Sequence, residues 1–198
     1  MDFRLLGALE VSAGEVEADL GPPKQRALLA ILLLHAGEIV PIDRLIELLW
    51  LDSPPRTANH SIQIYVSNLR KTLEGLGAKG ALSTRSPGYQ LDADADSIDV
   101  RQFESLAREG ARKLREGDPD TGAADLRAAL RLWRGPALSD FTYEEFAQPY
   151  IHRLHDLHLD AMKSWQPPIS PPGGRATSSR CSTPRSARTP CASAPASC

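Results

Sequence analysis

The apolar positions of this chain change period several times, and those changes divide it. In FRLLGALEV, Phe3, Leu5, Leu9 and Val11 alternate with the positions between them, and Val16, Ala18 and Leu20 resume the alternation after Ser12-Ala13-Gly14. This predicts a hairpin that opens a small antiparallel sheet. Gly21-Pro22-Pro23 stops the strand and starts a helix, because proline is accepted in a first helical turn. KQRALLAILLLHAG then carries Leu28, Ile31, Leu32 and His35 at helical spacing until Gly37. A second helix is predicted over 43–50, ended by Asp52-Ser53-Pro54-Pro55, and a third over 57–76.

The third helix carries the functional signal. Ile62, Val66, Leu69 and Leu73 recur at i, i+4, i+7 and i+11, one core-facing stripe. The opposite side collects His60, Ile64, Ser67, Asn68 and Lys71, with no acid until Glu74. Asn and Lys are residues that reach base edges in a major groove, and an isoleucine can touch a thymine methyl. A plain solvated face fits the same pattern, so the helix alone does not decide. Downstream, ALSTR-SPG-YQL predicts two short strands around a Ser86-Pro87-Gly88 turn with Arg85 at the tip. A basic residue there can enter a minor groove or meet a phosphate. Strands, three helices with a proline-marked turn before the third, and a terminal hairpin together predict a winged helix-turn-helix DNA-binding domain over residues 1–95.

The acidic stretch DADADSI at 92–98 marks a junction, after which the pattern is helical. Val100, Phe103, Leu106, Ala107 and Leu114 build one amphipathic helix, and Gly117-Asp118-Pro119 ends it. Ala123, Leu126, Ala129, Leu130 and Trp133 build the next, and a third over 143–164 contains Phe146, Tyr150, Leu154, Leu157 and Met162. Two helices of similar length joined by a short turn suggest one unit of a helical-repeat stack over 96–162. So short a stack would leave an apolar face open, including some of Phe146, Tyr150, Leu154 and Leu157.

Composition adjusts this picture at the end of the chain. Residues 163–198 hold seven prolines, eight serines, five basic residues, no acid, no Leu and no Val. Such a tail cannot bury enough apolar surface to fold and is expected to be disordered. A shifted reading frame explains it better than a designed basic tail, since back-translation into GC-ending codons read in another register yields a Leu- and Ala-rich helical peptide. On that reading more than half of the helical domain is missing, and Cys181, Cys191 and Cys198 are accidental. Their spacing matches no common zinc pattern.

Charge and other motifs exclude more than they add. The net charge of −2 does not announce a nucleic-acid binder, but residues 57–91 hold Arg70, Lys71, Lys79 and Arg85 against the single acid Glu74. No run of apolar residues is long enough to span a bilayer and no leader pattern opens the chain, which reads as cytoplasmic. His152, His155 and His158 spread around their helix and cannot converge on one metal. No phosphate loop, nucleophile elbow or HExxH site is present, so no enzyme and no cofactor is expected. Trp50 and Trp133 are expected to anchor packing.

With these residues in view, a family resemblance emerges. Residues 22–91 resemble the OmpR/PhoB-type winged helix, and TANHSIQIYVSNLRKTLEG, TRSPGYQLD, FESLAREG and LRLWRGPAL narrow the match. Over about residues 3–162 the chain is similar to the Streptomyces antibiotic regulatory protein (SARP) family. In that family this DNA-binding domain precedes a bacterial transcriptional activator domain of helical-repeat, TPR-like type. The resemblance implies a mainly α fold with a small β component: a winged helix (1–95), a truncated, partial activator domain (96–162) and the tail (163–198). It implies activation of clustered antibiotic biosynthetic genes by dimers on direct repeats of double-stranded promoter DNA, with contact to RNA polymerase. No receiver domain is read before the winged helix, so no phosphorylation switch of the response-regulator kind is expected. Carried onto this sequence, the DNA-binding positions are Thr57, His60, Ile64, Tyr65, Ser67, Asn68, Arg70 and Lys71, with Arg85 in the wing. The alternative reading is a truncated helical protein-interaction module with weak or no activator activity.

Overall fold

The N-terminal alternation folds as two strands rather than one. In the computed structural model, which describes residues 1–165, β1 (Asp2–Arg4) and β2 (Glu10–Ala13) pair antiparallel with Phe3 opposite Val11, and β3 (Val16–Glu17) adds to β2. Residues 5–8 turn back between β1 and β2, because distant parts of the chain take up their backbone groups. The N–H groups of Leu5 and Leu6 donate to the Asp99 carboxylate at 2.8–2.9 Å. The carbonyls of Leu5, Leu6 and Gly7 accept from the N–H groups of Leu138, Arg134 and Ser139 at 2.8, 2.9 and 3.1 Å. The alternation picks out the buried Phe3, Leu5, Leu9 and Val11, but Leu6 between them is buried as well and Val16 is 61% exposed, so no continuous strand underlies it.

The helix-turn-helix follows as α1 (Pro23–Leu34), α2 (Ile42–Trp50) and α3 (Ala58–Gly75). The first of these is buried on all sides, with every residue from Ala27 to Leu33 in the core, as expected of a helix apolar around its circumference. Between α1 and α2 lies β4 (Ile39–Pro41), which joins β5 (Leu82–Arg85) and β6 (Gly88–Leu91) in a second antiparallel sheet of order β4-β6-β5. A three-residue strand shows no readable period, so β4 has no signal in the sequence pattern.

The remaining helices are α4 (Asp99–Arg115), α5 (Pro119–Arg131) and α6 (Gln148–Ser164). Asp118 caps α5 by accepting from Thr121 N–H at 3.3 Å. Helix α6 starts later than its pattern predicts, because residues 139–147 form two short 3-10 turns that bury Phe141 and Phe146. Two side chains expected on an open face, Phe146 and Leu154, are 5% and 0% exposed. Part of this cover comes from the winged helix: α2 packs against the 145–147 turn that carries Phe146, whereas α6 with Leu154 packs on α4 and α5. Lys24 in α1 reaches the Leu49 carbonyl at 2.9 Å and Glu144 at 3.2 Å, Arg26 pairs with Asp140, and the Tyr150 hydroxyl meets His35 Nε2 at 3.1 Å. Residues from both regions thus contribute to one core. What stays open is a groove of about 450 Å³ between α4 and α6, lined in part by Ala107, Ala111, Leu157 and Ala161. Among the described residues no helix is long and apolar enough to cross a membrane. Beyond Trp165, the predicted tail, its cysteines and the shifted frame lie outside the described residues.

Candidate nucleic-acid interface

The burial of Ala58, Ile62, Val66, Leu69 and Leu73 fixes the rotation of α3 about its axis. At 100° per residue the side opposite that stripe holds Thr57, just before the helix, and His60, Ile64, Ser67, Asn68 and Lys71 within it. All six are exposed, Ile64 to 44%. Of the nine predicted positions, these six share one face. Tyr65 and Arg70 flank it on either side and are half-buried. Exposed isoleucine on a polar helix face is unfavourable in water, and a thymine methyl is a partner that would cover it.

Arg70 is turned toward the hairpin instead of outward. Its Nε donates to the Leu82 carbonyl at 2.8 Å, its Nη2 donates to Thr84 Oγ1 at 2.7 Å, and its guanidinium lies 5.9 Å from the centre of the Tyr89 ring. This arginine, one of the DNA-binding positions implied by the resemblance, ties the wing to α3. Arg85 stands exposed at the end of β5, opposite Gly88. The turn is shorter than the sequence suggested: Gly88 already belongs to β6 and faces Pro41 of β4. A Cβ at Gly88 would lie 1.9 Å from the Val40 carbonyl oxygen, so only glycine lets the wing strands close on β4.

The electrostatics of this face are simple. From Thr57 to Lys71 the chain contains no acid. Among the described residues Lys71 and Arg85 enter no ion pair, whereas Lys79, which is also near the hairpin, pairs with Glu74 at 3.4 Å. Two unpaired cations flanked by small polar groups make a surface that can take phosphates on its borders and base edges at its centre.

Sequence reasoning missed Gln25. It is 3% exposed, donates from Nε2 to the Leu20 carbonyl at 2.9 Å, and accepts from Asn68 Nδ2 at 3.1 Å. The readable sign was its register: Gln25 precedes Leu28, Leu29 and Leu32 at i+3, i+4 and i+7, a buried position occupied by an amide.

In the helical region the aromatic side chains pack on one another. His158 stacks on Trp133 with ring centres 4.0 Å apart, and Phe103 stands edge-on to both. Burial, then the neighbouring His155 charge, holds the His158 imidazole below its usual value. Trp133 is thus a packing anchor. Among the described residues no cluster of three metal-ligating side chains forms.

Comparison with known proteins places these surfaces in context. Residues 17–91 match the family described as transcriptional regulatory protein, C terminal, and residues 98–166 match the bacterial transcriptional activator domain. The transcriptional regulatory protein EmbR of Mycobacterium tuberculosis is 38% identical over 156 residues, which cover 78% of this chain and 40% of EmbR. The regulatory protein DnrI of Streptomyces peucetius is 37% identical over 171 residues, covering 83% of this chain and 63% of DnrI. The structure of Mycobacterium tuberculosis EmbR in complex with a low affinity phosphopeptide superposes with a TM-score of 0.80 at 36% identity, over 83% of this chain and 44% of that one. The chain therefore spans less than two thirds of the length of these relatives.

Proposed function

The chain belongs to the SARP family of transcriptional regulators, and on that premise we propose that it binds promoter DNA sequence-specifically and activates a secondary-metabolite gene cluster. One observation carries the reading: an acid-free, exposed face of α3, from Thr57 to Lys71, stands beside a wing that ends in Arg85. In the proposed mode α3 enters the major groove. Ile64 and Asn68 face bases, His60, Ser67 and Thr57 lie alongside, and Lys71 meets the backbone. Arg85 reaches a phosphate or the adjacent minor groove, and Tyr65 and Arg70 support the flanks. Dimers on direct repeats and contact with RNA polymerase belong to this proposal through the family resemblance. The biosynthetic-cluster reading likewise rests on the family resemblance.

The test is a gel-shift titration of the full chain on duplexes carrying spaced direct repeats and on scrambled duplexes, at several salt concentrations. Retardation that discriminates between the two at physiological salt is expected. Binding that is salt-labile and indifferent to sequence would overturn the proposal and favour a protein-interaction module.

A further inference from the structure

We infer that Gln25, buried beneath α3, is a specificity-positioning residue: it fixes the side-chain amide of Asn68 and so sets the hydrogen-bond pattern offered to a base. This rests on the DNA-binding reading above, and the experiment below separates the two. The Leu20 carbonyl can only accept, so the amide nitrogen of Gln25 must face it, at 2.9 Å. The Gln25 oxygen is thereby aimed at Asn68, whose Nδ2 must donate to it, at 3.1 Å. The opposite orientation of Asn68 would set two carbonyl oxygens against each other. A primary amide has two N–H groups and one oxygen, so Asn68 keeps one N–H and its Oδ1 free on the exposed face. A donor beside an acceptor is the complement of the N7 and N6–H of adenine in the major groove.

Two further features argue that this arrangement is built rather than incidental. Gln25 is 3% exposed inside a helix whose next eight residues from Ala27 run to Leu34 without another polar side chain, and a buried amide is tolerated only where its groups are paired. Gly21, at φ +73°, approaches so closely that a Cβ there would lie 2.8 Å from Gln25 Nε2. The chain before α1 is therefore shaped around this amide. Pre-ordering Asn68 removes the need to freeze its rotation on binding, which favours the matched base over its competitors.

The test uses the full chain. A duplex is enriched from a random pool, and affinities are measured for every single-base-pair variant of it. The wild type should prefer A·T at one position by about 5- to 150-fold, and Asn68→Ala should erase that preference. Gln25→Met, similar in length but without an amide, should lower the same preference by roughly two- to tenfold. It should leave the dependence of affinity on salt unchanged, and it should add nothing to the loss of specificity in Asn68→Ala. Equal loss on all duplexes, or a full additional loss of specificity on top of Asn68→Ala, would overturn the inference and leave Gln25 a clamp on the loop before α1. Should Gln25→Met fail to fold, nitrogen-15 spectra of the wild-type protein decide. One Asn68 amide proton should exchange slowly and lie close to Gln25, and two equally fast protons would overturn the inference. A wild-type chain that enriches no duplex refutes the DNA-binding reading and this inference with it. Enrichment with Gln25→Met indistinguishable from wild type refutes the inference alone.

Discussion

Asp99→Ala tests whether the winged helix depends on the helical region for its own fold. The carboxylate is 7% exposed and accepts from two buried backbone groups, Leu5 N–H and Leu6 N–H, at 2.8–2.9 Å, with an Arg134 nitrogen 3.9 Å away. Each N–H left without a partner costs about 1–3 kcal/mol, and water entering the vacated space offsets part of the total. A loss of about 3 kcal/mol is expected, measured by urea denaturation of the full chain at neutral pH. At about 2–4 °C per kcal/mol for a folded unit of this size, Tm should fall by about 6–12 °C. The pH dependence supplies an independent check. Burial pushes the Asp99 carboxyl above its usual range, against the pull of the Leu6 and Leu5 N–H groups and the Arg134 charge. The folded protein therefore holds this proton more tightly than the unfolded chain does. The stability contributed by protonation is present below the unfolded value of about 3.9 and is lost as pH rises through the higher folded value. The advantage of wild type over Asp99→Ala should thus be largest at the acidic end of that window and shrink upward. A loss below about 1 kcal/mol at neutral pH, or an advantage that grows as pH rises through the window, would refute the reasoning.

Four other substitutions probe the interface, its supports and the helical region. Lys71→Ala should reduce the slope of log affinity against log salt by about 0.9, one phosphate's worth. Arg70→Ala should leave the slope unchanged while lowering stability by roughly 1–2 kcal/mol, because its donors are committed to Leu82 and Thr84; salt titrations and melts of the two variants distinguish these outcomes. Gly88→Ala should cost more than about 3 kcal/mol or abolish folding, since the added Cβ meets the Val40 carbonyl, and circular dichroism melts would show it. His158, held below its usual value by burial against Trp133 and by His155, should lend stability above its unfolded value of about 6.5 that is lost as pH falls through the lower folded value. His158→Phe should keep the packing and flatten that acid-side loss, as read by melts across the same range.

How far the sequence could be read depended on whether a residue's cause was local. The stripe Ile62, Val66, Leu69 and Leu73 is local, and it fixed both the extent of α3 and the face it exposes. The hairpin of β5 and β6 was legible for the same reason, through its alternation and its proline-glycine turn. Asp99 shows where local reasoning stops. An acid at the start of a helix is accounted for by the helix dipole alone, so nothing in the pattern signals that the same carboxylate holds Leu5 and Leu6 from the other end of the chain. Arg70 is similar, since a basic residue flanking a polar helix face satisfies a phosphate reading without reference to Leu82. The closed face around Phe146 and Leu154 has no local signal, because the expected cover is another repeat, whereas α2 lies against the turn that carries Phe146 and α4 and α5 lie against α6.

Gln25 is the opposite case, because it breaks a local rule. An amide in register with Leu28, Leu29 and Leu32 makes a helix less stable than leucine would unless both of its polar groups are paired. In this structure one pairs with the loop that precedes α1 and the other with the exposed face of α3. The second partner is the one asparagine among the proposed base-reading positions of α3. If only the Leu20 contact mattered, a side chain able to donate once would suffice. The acceptor half of Gln25 has a single described partner, Asn68, and the discrimination measured with Gln25→Met in the presence and absence of Asn68 isolates what that half contributes.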